Sequence, residues 1–113
     1  MTLRHQFRKN KFNAQKTIVD GITFDSKAEA KRYTQLKQLR ELGEVTQFMI
    51  QVPFRLPGST RYVVDFQIFW SNGTVTFEDV KGMETSSFKL KKKQVEELYA
   101  PITITVLKSK DIK

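Results

Sequence analysis

Apolar and polar positions along this chain follow two different periods, and the places where the period changes mark out its elements. In KTIVDGITFDS, residues 16–26, two short β-branched runs flank Asp20-Gly21, a pairing favoured by type I′ hairpin turns. From Ser26 to about Leu42 the spacing becomes helical, with Gly43 placed as the stop. EVTQFMIQVPFRL (44–56) reads as a strand bent near Pro53, and PGST (57–60) as a turn. RYVVDFQIFW (61–70) and TVTFEDVK (74–81) form the central strand pair. A second helix is expected from about Ser86 to Tyr99, closed by Pro101. ITITVL (102–107) is a last strand and KSKDIK (108–113) a loose tail. The order is β-hairpin, α, β-β-β, α, β, which predicts an α/β fold with a mixed central β-sheet flanked by helices. Residues 1–15 read as a flexible basic arm and 16–113 as a single domain, with no internal repeat.

Composition narrows the chemistry. A length of 113 residues supports one core. No apolar run approaches the roughly 20 residues of a membrane span, and no apolar stretch follows the basic start MTLRHQFRKNKF, so neither membrane insertion nor a secretory signal is expected. Zero cysteines exclude disulfides, thiolate zinc sites and cysteine nucleophiles, and a single histidine, His5, excludes a histidine-rich metal site. Catalysis would have to come from carboxylates, lysines and hydroxyls. The net charge of +8 is clustered: Arg4, Arg8, Lys9, Lys11 and Lys16 precede any acid, and Lys89, Lys91, Lys92 and Lys93 form a second block. Clustered charge points to nucleic-acid phosphates, with a merely solubilising surface as the plain alternative. No aromatic stacking motif favours RNA, and no nucleotide cofactor is expected.

The chemistry-bearing residues lie in YVVDFQIFWSNGTVTFEDVKG. Asp79 and Lys81 share one face of their strand, whereas Glu78 points to the other. Two loops are compatible with the turn. A two-residue Asn72-Gly73 loop would put Asp65 opposite Val80; a three-residue Ser71-Asn72-Gly73 loop, with Gly73 left-handed, would put Asp65 opposite Asp79. Only the second builds a site. It also sets like charges across from each other, which a hard divalent cation such as Mg²⁺ would relieve. Lys81 has a second reading as the salt-bridge partner of Asp79. Glu29 falls near the middle of the first helix's apolar stripe, with Tyr33 and Leu36 within about 40° of it. A carboxylate aimed into packed structure needs a partner, which a metal site would supply, although Ser26 and Glu29 also fit a capping box. Gln51, polar at the end of an apolar run, suits a structural hydrogen bond as well as a site role.

The series GITFDSKAEAKRY, QVPF, YVVDF and FEDVKG resembles the PD-(D/E)XK nuclease superfamily, in particular a small phage-borne group of domains of unknown function. The chain is also similar to phage endonuclease I type Holliday junction resolvases and to transposon-end nucleases. The likeness spans about residues 16–107 and implies a restriction-endonuclease-like core. Carried over, Glu29, Asp65 and Asp79 match the metal-holding acids, the Val80 carbonyl an added ligand, and Lys81 the lysine that orients water and stabilises charge on phosphate. Val64 stands where the motif has proline, and Asp79 where glutamate is more frequent. The resemblance implies a Mg²⁺-dependent endodeoxyribonuclease, with Mn²⁺ able to substitute. It would act on branched or junction DNA in phage replication or recombination, in the cytoplasm of a bacterial host. A homodimer is expected, because cutting two strands symmetrically calls for two sites. The alternative is a catalytically inactive DNA-binding accessory protein on the same fold.

Overall fold

A computed structural model describes residues 15–113. The basic arm, with Arg4, Arg8, Lys9 and Lys11, therefore lies outside the described residues, apart from Gln15. The elements are β1 (Thr17–Val19), β2 (Ile22–Phe24), α1 (Lys27–Glu41), β3 (Val45–Leu56), β4 (Thr60–Trp70), β5 (Val75–Val80), α2 (Ser86–Leu98) and β6 (Ile104–Leu107).

Local chemistry accounts for most boundaries. Asp20 (φ 54°) and Gly21 (φ 76°) form the two left-handed positions of a type I′ turn, and β1 pairs antiparallel with β2 around it. The Asp20 carboxylate accepts a 2.9 Å hydrogen bond from the Tyr33 hydroxyl and pairs with Lys37, which fastens this two-stranded sheet to α1. Ser26 caps α1 by accepting the Glu29 N–H at 3.1 Å. At the other end Gly43 (φ 84°) lets Glu44 N–H reach the Leu39 carbonyl and Gly43 N–H reach that of Arg40, a Schellman motif. Thr85 caps α2 through the Phe88 N–H.

The main sheet is mixed, in the order β3-β4-β5-β6: the first two pairings are antiparallel and β5-β6 is parallel, with α2 as the crossover. This α/β arrangement, with its separate hairpin and two helices, is compatible with a restriction-endonuclease-like core. Among the described residues, no helix is long and apolar enough to cross a membrane.

The core has two parts. Phe24, Ala30, Leu36, Val45, Phe48, Phe66 and Ile68 pack under α1. Phe54, Leu56, Tyr62, Val64, Phe77, Phe88, Val95 and Ile104 pack under α2. The even-numbered residues of β4 thus serve one cluster up to Val64 and the other from Phe66 onward. The changeover falls at Asp65 and at Gln51, which the flanking pairs Ile50↔Phe66 and Val52↔Val64 set opposite each other. Gln51 has φ 54°. β3 is therefore irregular in backbone conformation at Gln51 and in register between Val45 and Gln47, and not at Pro53, which stays in register with Val63. A left-handed non-glycine residue inside a strand costs about 1–2 kcal/mol.

The tail also departs from expectation. Ser109–Asp111 forms a 3₁₀ turn, Asp111 accepts the Lys108 N–H at 2.8 Å, and Ile112 is buried. One apolar residue in an otherwise polar segment is enough to dock it, because its burial removes apolar surface from water.

Candidate active site

The β4–β5 turn takes the three-residue form. Trp70 N–H donates to the Thr74 carbonyl at 2.9 Å, Gly73 adopts φ 93°, and the ladder runs Phe69↔Val75 to Phe66↔Glu78. The next step sets Asp65 opposite Asp79. There the backbone pairing stops and the side chains take over. Asp65 N–H donates to Asp79 Oδ1, and Val80 N–H donates to Asp65 Oδ2, each at 2.9 Å. Each carboxylate accepts an amide of the facing strand, so the two are held across from each other by charge-assisted bonds. β5 meanwhile stays paired with β6 through Asp79↔Val106 and Val80↔Leu107.

Asp79 is fully enclosed, at 0% exposure, and its Oδ2 is buried with no hydrogen-bond partner. An unpartnered carboxylate oxygen in the interior is costly. Burial raises the Asp79 pKa, and the Asp65 N–H and the Lys81 charge only partly offset this. Asp65 is raised for the same first reason, opposed by the Val80 N–H and by Lys81. The Lys81 ammonium lies 4.7 Å from the Phe88 ring centroid and is ion-paired with neither acid. It acts on both at longer range.

Glu29, 4% exposed, enters from α1. Only half of a capping box forms: the Ser26 hydroxyl takes the Glu29 N–H, while the Glu29 carboxylate turns inward and accepts from Gln51 Nε2 at 3.3 Å. Burial, followed by the neighbouring charges of Asp65 and Asp25, pushes the Glu29 pKa up to about 8. α1 is held against β5 by Arg32, whose guanidinium grips both carboxylate oxygens of Glu78 at 2.8 Å. Glu78 therefore faces away from the acids, as strand alternation requires, and anchors the helix that delivers Glu29.

A cleft of about 620 Å³ opens here, lined among others by Asp25, Glu29, Asp65, Val80, Lys81 and Thr85. Of the residues expected from sequence, Glu29, Asp65, Val80 and Lys81 thus meet on one surface, and Asp79 lies directly behind Asp65. Among the described residues, no group of three acids or histidines is already drawn together closely enough to hold an ion. The donor set nevertheless suits a hard cation: the buried Glu29 and Asp79 and the half-buried Asp65, the last two from facing strands, with one Asp79 oxygen unpartnered. Of the lysine block on α2, Lys89 and Lys93 are exposed, whereas Lys92 is committed to Glu96 at 3.0 Å.

Two contributors were not anticipated. Asp25 lines the cleft and is paired with Lys16 at 3.0 Å; its position just before the cap residue carried no signal of this. Arg32 lies three residues beyond Glu29, half-buried on the same helix, where an arginine needs a partner. A family model described as a protein of unknown function (DUF1064) matches residues 9–113. No curated protein matches the chain.

Proposed function

The chain belongs to the DUF1064 family of proteins of unknown function, and from the geometry of its cleft we propose that it is a divalent-metal-dependent DNA endonuclease of PD-(D/E)XK type. One observation carries this reading: the three-residue β4–β5 loop sets Asp65 opposite Asp79, one step before Val80 and Lys81, beside a buried Glu29. Glu29, Asp65 and the Val80 carbonyl would hold Mg²⁺ or Mn²⁺ from the cleft, with Asp79 supporting from behind. When bound, such an ion neutralises a phosphate and makes a coordinated water more acidic.

The remaining roles belong to the chain. Asp79 Oδ1 fixes the Asp65 backbone, and Val80 N–H fixes the Asp65 carboxylate, so the acid projecting into the cleft is held in place before substrate arrives. The Lys81 ammonium, free of a carboxylate partner, can stabilise charge developing on the phosphate or orient the attacking water. Lys89, Lys91 and Lys93 supply sequence-independent attraction to the DNA backbone, together with Arg4, Arg8, Lys9 and Lys11 of the amino-terminal segment. Lys92 is less available because of Glu96. Branched or junction DNA is the proposed substrate and a homodimer the proposed assembly, since two strands need two sites.

The experiment is a cleavage panel of linear, nicked, flap and four-way-junction DNAs with Mg²⁺ or Mn²⁺. Asp65→Asn is expected to abolish cutting while sparing binding. A second reading, a DNA-binding accessory protein without catalysis, is favoured by the backbone amides that already engage Asp65 Oδ2 and Asp79 Oδ1. Metal-indifferent binding with no cleavage of any DNA form would select it.

A further inference from the structure

Gln51 is the one non-glycine residue within the main sheet's strands, among the described residues, to adopt a left-handed backbone, with φ 54°. Its neighbours give no reason for it. Ile50 and Val52 on either side keep their partners Phe66 and Val64, and the register is the same before and after. Glycine would occupy this conformation without strain, and no glycine is present. What distinguishes Gln51 is where its side chain goes. It sits opposite Asp65, and its Nε2 donates to Glu29 Oε2 at 3.3 Å, which joins β3 to α1 across 22 residues of sequence. Its cross-strand position also brings the amide beside the Asp65 carboxyl, whose pKa burial raises and which the Val80 N–H, Lys81 and, to a smaller extent, Gln51 lower.

A primary amide suits this place for a chemical reason. It carries two N–H donors on one nitrogen and no charge. It can therefore steady two carboxylates from different elements without neutralising either. A lysine or arginine there would satisfy the acids outright and compete with any incoming cation.

We infer that Gln51 is a positioning residue, whose left-handed backbone aims its amide so as to hold Glu29 and Asp65 in a fixed relation across the cleft. This rests on the nuclease reading, because it assigns the held geometry to ion binding. The backbone strain is retained for that alignment. Removing the side chain should relax the strand and loosen the acids at once.

The test uses Gln51→Gly, Gln51→Ala and Gln51→Asn in the full chain. Gln51→Gly should match or exceed the parent in thermal midpoint without metal, while Mn²⁺ affinity by calorimetry falls about 10–100-fold, the usual loss when an outer-shell partner is removed. Cleavage should show the same loss, partly recovered at high Mn²⁺. Gln51→Asn, which tolerates the backbone and keeps an amide on a shorter stem, should lie between Gly and the parent. A thermal-denaturation cycle of Gln51→Ala with Glu29→Ala in metal-free protein should be non-additive. Parent-like Mn²⁺ affinity in Gln51→Gly, or additive shifts in the cycle, would overturn the inference while leaving the nuclease reading intact. A parent protein that takes up no Mn²⁺ would overturn the nuclease reading itself, and the positioning role with it.

Discussion

Glu78 and Asp79 are neighbours on one strand, both buried, at 6% and 0% exposure, and they live in opposite circumstances. On the α1 side, Glu78 has both oxygens matched by the Arg32 guanidinium in a bidentate pair. On the other side, Asp79 uses one oxygen on a backbone amide and leaves the second unpartnered. A fully satisfied buried acid contributes to holding two elements together. An acid left half-satisfied costs stability, a cost that a bound cation would offset under the proposed function. The contrast separates a structural carboxylate from a candidate functional one on the same β-strand.

The largest effect that would sharpen this contrast is catalytic. Asp65→Asn should lower cleavage by about 10³-fold or more, since metal-assisted charge stabilisation is worth several kcal/mol at about 1.36 kcal/mol per decade. Next comes the structural half. Glu78→Ala strands the Arg32 guanidinium and should lower unfolding free energy by about 3–5 kcal/mol in urea titrations. The Glu78→Leu, Arg32→Met double variant should recover much of that loss. If Glu78→Ala proved as stable as the parent, the two acids would not differ as described.

Asp79→Asn should behave in the opposite sense. It removes a buried charge that burial already disfavours, so metal-free stability near pH 8 should hold or rise, by about 1 kcal/mol. Any stabilisation of the parent by Mn²⁺ should shrink in this variant, as read from thermal midpoints with and without the ion. A loss of stability comparable to that of Glu78→Ala would break the comparison.

The pH dependence follows from Glu29. Burial pushes its folded-state pKa up to about 8, above the ordinary glutamate value of 4.5. Between those values the native chain binds more protons than the unfolded one, so stability falls as pH rises through that window. The slope is at most about 1.4 kcal/mol per pH unit for one proton. Glu29→Gln should flatten the curve; an unchanged curve would place the titration elsewhere. The smallest effect lies in DNA binding. Lys89→Ala or Lys93→Ala should each reduce the slope of log affinity against log salt by about 0.9, and Lys92→Ala by less because Glu96 already engages it.

Glu29 was legible because helical periodicity alone puts it on the apolar stripe. Whether it capped the helix or entered a site was not legible, because that choice depends on Gln51, 22 residues away. Glu78 was correctly placed away from the acids by strand alternation, yet its partner Arg32 is 46 residues distant. Asp25 escaped notice because nothing in its local spacing distinguishes a cleft-lining aspartate from one that merely precedes a helix cap.

What the chain encodes by itself is whatever depends on near neighbours. The Asp20-Gly21 turn, the Ser26 and Thr85 caps, the Gly43 stop and the alternation that parts Glu78 from Asp79 all follow from dihedral preferences and periods of two or 3.6. Tertiary structure decided between the two- and three-residue β4–β5 loops, put Gln51 into a left-handed conformation, enclosed Asp79 behind Asp65 and docked Ile112. These outcomes compare alternatives of similar local energy. Long-range packing and the partnering of buried charges settle them, and no local pattern carries that information.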